Sequence, residues 1–185
     1  MLAGMARVLG SIPKGLLSST GLIMAAIAVF GYLALDLSWV RDAKGTGSSP
    51  LYGTDFFQIL ARNIGAALVL YSGVVTLGLT TLIGAGILAL YIGATLSLGL
   101  NSVGGATLFA DVMWYVPFEF LGLVLATTAG LQPAAGLAGR LMKNEPVTVG
   151  SFIDSIARSL GSLLVAVVLI VIGAAVESVL IHLKT

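Results

Sequence analysis

The chain has 185 residues, of which 58% are hydrophobic and only 9% charged, and its net charge is +1. Soluble domains carry about a quarter charged residues, so this composition excludes a soluble globular domain. A small, unclustered positive charge argues against nucleic acid as a partner. The chain has no cysteine, which excludes disulfides, thiolate metal sites and cysteine nucleophiles.

Residues 1–15 place Met1, Leu2, Met5, Val8, Leu9 and Ile12 among small and basic residues, the pattern of a short interfacial helix or of a frayed terminus. The first apolar run covers about 16–37 and follows Arg7 and Lys14. It is longer than the roughly 7–15-residue core of a signal peptide, and no small-x-small site closes it, so it reads as a retained spanning helix. Gly, Ser and Pro cluster over 38–56 beside Arg41, Asp42 and Lys44, which marks a loop. From Ile64 to Leu100 no side chain is charged. About 20 apolar residues cross a bilayer, so this stretch divides into two spans, about 58–78 and 80–100. The turn between them is expected in the Gly78 to Gly86 region, with a re-entrant hairpin as the competing arrangement.

A fourth span is expected over about 108–131. A loop follows over 132–150, where Arg140, Lys143 and two prolines fall. Ser151, with Asp154 three residues on, reads as the N-cap leading to a fifth span over about 157–181. Trp39, Trp114 and Tyr115 lie near span ends, where amphipathic rings anchor at the headgroups. The fold class is therefore all-α: a single integral membrane domain, a polytopic helix bundle of about five spans with short loops. Orientation is weakly encoded. An inside N-terminus puts Arg7, Lys14, Arg140 and Lys143 in the cytoplasm against Arg41, Lys44, Arg62 and Lys184 outside, and this bias is almost nil.

Two carboxylates fall inside expected spans, Glu119 and Glu177. A charge at mid-helix costs at least about 2.5 kcal/mol and normally has a partner. At 1.5 Å per residue, Glu119 lies roughly 12 Å along the axis from Asp111, and Glu177 roughly 10 Å from Lys184. Five alternating spans put both depths, and the start of the second span, at the same membrane face. The expected result is an intramembrane polar layer of Arg62, Asn63, Glu119 and Glu177. Its plain reading is a device that fixes helix registry; its functional readings are a proton or ion path and a partner-binding site. Asp36 and Asp111, near span ends, read as solvated.

Small residues accompany these positions at helical spacing. Gly122, Ala126 and Gly130 follow Glu119, Gly173 and Ala174 precede Glu177, and Thr81, Ala85, Ala89, Gly93 and Ser97 form a stripe on the third span. Ala85, Ala89, Gly93, Gly122, Ala126 and Gly173 are the candidate helix-packing residues, since small side chains let backbones approach closely. A pore lining is the other reading of the third-span stripe. These Gly and Ala faces also suit a homodimer.

Three segments resemble the stage II sporulation protein M family of bacterial and archaeal membrane proteins: 56–79 (FFQILARNIGAALVLYSGVVTLGL), 116–131 (VPFEFLGLVLATTAGL) and 169–181 (LIVIGAAVESVLI). Asn63, Glu119 and Glu177 match the family's characteristic polar positions. The chain departs from the family where Pro-His-Gly precedes the first Glu. Here the stretch reads WYVPFE, with Pro117 but no His, and Ile92-Gly93 stands in place of an Asn-Gly. The resemblance implies a scaffold for envelope hydrolases or, in bacteriocin clusters, a partner of ATP-driven exporters in peptide secretion or immunity. It also implies a bacterial or archaeal plasma membrane.

Catalytic residues are not apparent. The only histidine is His182, so a His-Glu-x-x-His motif is impossible, and no Gly-x-x-x-x-Gly-Lys loop is present. An ATP-driven role would need a separate ATPase. No metal or cofactor is expected. The leading reading is a non-catalytic membrane subunit or scaffold that works in the lipid bilayer with other membrane subunits. The alternative is a channel or permease for ions or small solutes lined by Glu119 and Glu177, a reading to which the Ser72, Thr76 and Thr80 spacing on the second span adds.

Overall fold

The computed structural model describes residues 12–35 and 56–184, all of whose regular elements are helical. Helix α1 covers Lys14–Ala34, α2 Phe56–Tyr71, α3 Leu79–Val103, α4 Gly105–Val112, α5 Val116–Met142 and α6 Val149–Lys184. Among the described residues five stretches are long and apolar enough to cross a membrane, one each in α1, α2 with its continuation to Val74, α3, α5 and α6. Large apolar side chains point outward, among them Leu22, Phe30 and Leu33 of α1, Ile87 of α3 and Leu164 of α6. Such faces suit acyl chains rather than water. The protein is an all-α membrane bundle. Residues 1–11 of the expected terminal helix over 1–15, residues 38–55 of the expected 38–56 loop, Asp36 and Trp39 lie outside the described residues.

The turn between the second and third spans comes earlier than expected. Helix α2 gives way to a 3-10 turn at Ser72–Val74, and the reversal ends at Leu77 (φ 51°) and Gly78 (φ 90°). The Gly78 N–H closes it by donating to the Gly73 carbonyl at 2.7 Å. Left-handed φ costs glycine nothing, so the chain reverses at Gly78 and α3 runs on through Gly84 and Gly86. Ser72 ends the second span, Thr76 lies in the turn and Thr80 opens α3, so the three do not line one span. Their hydroxyls bond one another at 2.9 Å, and the Thr80 N–H donates to the Thr76 hydroxyl at 3.1 Å. They cap the start of α3.

The fourth span also departs from the expected 108–131. The short α4 precedes it, set off from α3 by Gly104 at φ 82°, and α5 continues through Pro133 as far as Met142. The residues read as a loop from Gln132 onward are thus largely helix. One interior proline costs about 3 kcal/mol. Opening the backbone at bilayer depth would leave several unsatisfied groups, each costing several kcal/mol, so the helix persists. It stops at Asn144 (φ 55°), where the Glu145 N–H reaches back to the Arg140 carbonyl at 2.9 Å, a Schellman closure. The next helix begins before Ser151. Thr148 is the cap: the Ser151 N–H bonds the Thr148 hydroxyl, and the Thr148 N–H bonds the Ser151 hydroxyl, both at 3.2 Å. This is a capping box with Ser151 in its N3 position.

Helix α5 is the axis of the bundle. Every residue from Gly122 to Gly130 is buried, as expected for a helix enclosed on all sides. Helix α6 covers its longest face, α2 lies across both, and α1 touches α5 and packs most extensively on α3. The stripe on α3 divides between neighbours. Thr81 donates to the Leu70 carbonyl of α2 at 2.5 Å, while Gly93 backs onto the α1 backbone at Ala28 and Tyr32. A Cβ on Gly31 of α1 would stand 2.5 Å from the Leu90 carbonyl oxygen. Glycine from each helix therefore seats the other's backbone.

Gly93→Ala should accordingly lower stability by about 1–3 kcal/mol, the usual cost of overpacking. Gly65→Ala, which meets nothing within 4 Å, should be neutral or stabilising. Thermal unfolding of the two variants in one neutral detergent compares them. Equal melting temperatures would rule out a tight α1–α3 seam.

Candidate functional site

Glu119 does not sit at mid-helix. Because α4 ends at Val112, it falls in the first turn of α5, where the positive end of the helix dipole favours a carboxylate. Its Oε1 accepts a hydrogen bond of 2.5 Å from Asn63 Nδ2, in the second turn of α2. The Glu177 carboxyl comes within hydrogen-bonding reach of Glu119, and Arg62 lies within electrostatic reach of both. Glu177 Oε2 is buried and has no hydrogen-bond partner. Arg62 is exposed at the rim. The four sequence candidates thus gather where α2 and α5 begin and α6 ends.

Two negative carboxylates at this separation repel. The Asn63 amide, the Arg62 charge and the α5 terminus are the features that oppose the repulsion. Gly173 makes the approach possible. A Cβ there would stand 2.5 Å from Glu119 Cγ and 3.4 Å from the Tyr115 carbonyl. Glu119 lies flat across the α6 backbone, on a seat that only glycine leaves open. One turn deeper, Gly122 faces Ile170 and the Ala166 carbonyl of α6. Ala126 is fully buried, and Ala85 and Ala89 are buried on α3. All six packing candidates occupy helix interfaces or the buried core.

A second polar layer, absent from the sequence reading, lies at the opposite end of the same three helices. Ser162 donates to Gln132 Oε1 at 3.2 Å, Tyr71 bonds the Ser159 hydroxyl at 3.1 Å, and Arg158 donates to Ser155 Oγ at 3.1 Å. The available signal was the spacing of Ser155, Ser159 and Ser162, which continues through Ala166, Ile170, Gly173 and Ala174 to Ser178 as the buried seam of α6. Steps of three and four residues keep such a seam on one face. Between the two layers the interface is apolar, built from Ala67, Leu123, Ala126, Ala166 and Ile170.

Among the described residues no group of three or more His, Cys, Asp or Glu side chains is placed to hold a metal ion. His182 bonds the Ser178 carbonyl of its own helix through Nδ1 at 2.8 Å. Comparison of the chain with protein-family models, curated proteins and solved structures returns no match.

A double-mutant cycle on Asn63→Ala and Glu119→Ala should give a coupling of about 0.6–1.7 kcal/mol, the range found for buried hydrogen bonds in membrane bundles. Reversible unfolding in mixed micelles reads it. Additive effects of the two substitutions would dissolve the layer. Gly173→Ala should reproduce most of the Glu119→Ala loss by dislodging the same side chain.

Proposed function

We propose that the protein is a non-catalytic membrane subunit or scaffold, of the kind its resemblance to stage II sporulation protein M implies. It would serve an envelope-remodelling or peptide-export and immunity machine in a bacterial or archaeal plasma membrane. The observation that supports this most is a helical hairpin too long for the bilayer. Helix α6 has 36 residues and α5 has 27, roughly 54 and 40 Å at 1.5 Å per residue, against an apolar core of about 30 Å. The α1 start, at Pro13 and Leu16, borders Gln132, Gly136, Ser155 and Arg158, so residues 137–154 extend past it. Their tip exposes Leu141, Met142, Val147 and Val149. Apolar side chains displayed on a rigid hairpin outside the hydrocarbon suit a protein partner.

A channel or permease is the second reading, and the buried, unpartnered Glu177 Oε2 beside Glu119 favours it. The closely packed Ala67, Ala126, Ala166 and Ile170 below the carboxylates favour the scaffold instead. There the polar layer sets helix registry and partners dock elsewhere.

Mild-detergent purification after in-cell cross-linking should recover an ATPase, an export subunit or an envelope hydrolase at near-stoichiometric yield. Replacing Leu141, Met142 and Val149 by Ser should abolish that recovery without lowering the amount of protein in the membrane. Glu119→Gln with Glu177→Gln should leave it intact. Recovery of this chain alone, together with solute flux in proteoliposomes that the double Gln variant loses, would overturn the scaffold in favour of the permease.

A further inference from the structure

The cleft at the α1 end of the bundle is a built site distinct from the carboxylate layer. It encloses about 320 Å³ and is lined by Pro13, Leu16, Gln132, Gly136, Ser155 and Arg158. Its polar groups are donors. Gln132 is 8% exposed, and its Oε1 is held by Ser162, which leaves the amide N–H groups to the cleft. The Arg158 guanidinium is steadied by Ser155, itself 5% exposed, and makes no ion pair among the described residues. Helix α1 starts at the rim with no side-chain cap among the described residues, and its first bond back to Pro13 comes from Leu17. The N–H groups of Lys14, Gly15 and Leu16 therefore lack intrahelical acceptors. Asp154, one turn before Arg158, is exposed and joins no ion pair among the described residues.

We propose that this cleft binds a phosphate-bearing anion. A guanidinium, a buried amide and a helix N-terminus on one small cavity are complementary to an oxyanion with several acceptor oxygens. Depth selects the headgroup of an anionic phospholipid over soluble phosphate as the source. Helix α1 has 21 residues, roughly 32 Å, so its first turn stands at the edge of an apolar core of about 30 Å. Pro13, Leu16 and Ala135 on the cleft wall would meet the glycerol and upper acyl carbons. Arg140 and Lys143 on the hairpin above lie outside the cleft and add only general attraction to an anionic surface.

The full chain, purified in a neutral detergent and delipidated, tests this by native mass spectrometry and thermal shift. Titrants are phosphatidylglycerol, phosphatidylcholine and inorganic phosphate. Phosphatidylglycerol should add with one-to-one stoichiometry and raise the melting temperature, and phosphatidylcholine should not. Arg158→Gln should weaken phosphatidylglycerol about tenfold, the loss expected for one charged hydrogen bond, and Lys143→Gln should leave it unchanged. Arg158 is exposed, so that variant should keep its own melting temperature. Stabilisation by inorganic phosphate, lost in Arg158→Gln, would support the anion site and assign it to a soluble ligand. No stabilisation by either anion, or equal binding by Arg158→Gln, would overturn the proposal.

Discussion

Helices α5 and α6 approach as closely as they do because each presents a glycine to the other near the carboxylates, Gly122 against Ala166 and Ile170, and Gly173 against Glu119. In a bilayer this approach cannot be driven by excluding water, because lipid tails are as apolar as the side chains they would replace. It rests on van der Waals contact and on hydrogen bonds between helices. Close contact needs small residues, and the α6 seam supplies Ser, Ala and Gly at nearly every turn. The position of α2 follows from this pair. It lies in the groove between them and contributes Asn63 at one end and Tyr71 at the other.

The polar atoms mark the two ends of that three-helix contact and leave its middle apolar. Surface charges contribute little to this arrangement. The Arg140–Glu145 ion pair, at 3.7 Å, is exposed, and such pairs contribute about 0–1 kcal/mol. The buried bonds have more influence, because each one lost leaves a group unsatisfied in a medium without water.

The class of the protein and the number of spans were legible because hydropathy and length alone decide them: the charge-free run from Ile64 to Leu100 cannot be one crossing. The meeting of Asn63, Glu119 and Glu177 was expected from counting residues from span ends, but the count for Glu119 assumed one helix running from Asp111, whereas α4 ends at Val112 and Glu119 opens α5. Element ends were not legible. Pro133 reads as a helix breaker when only local propensity is weighed, yet it is fully buried within α5, where neighbouring helices outweigh propensity. Ser159, Ser162 and Gln132 escaped notice for a related reason. Neutral polar residues are common in loops, and only their pairing across helices distinguishes a buried layer from a solvated one.

Two polar layers on one interface constrain α6 more strongly than either would alone. A slip of one turn, about 5.4 Å, would carry Gly173 away from Glu119 and bring Leu169 or Glu177 to that place. Leu169 would collide with the carboxylate, and Glu177 would set charge on charge. The same slip would take Ser162 from Gln132 and replace it with Arg158 or Ala166, and would part Tyr71 from Ser159. An apolar seam of small residues is tolerant of such slips, because Ala and Gly recur at the same spacing along it. The polar ends remove that tolerance, since both must break together. A helix of 36 residues therefore has its register fixed at both ends of the buried contact, and the turn between α5 and α6 is held at a defined height relative to the bundle.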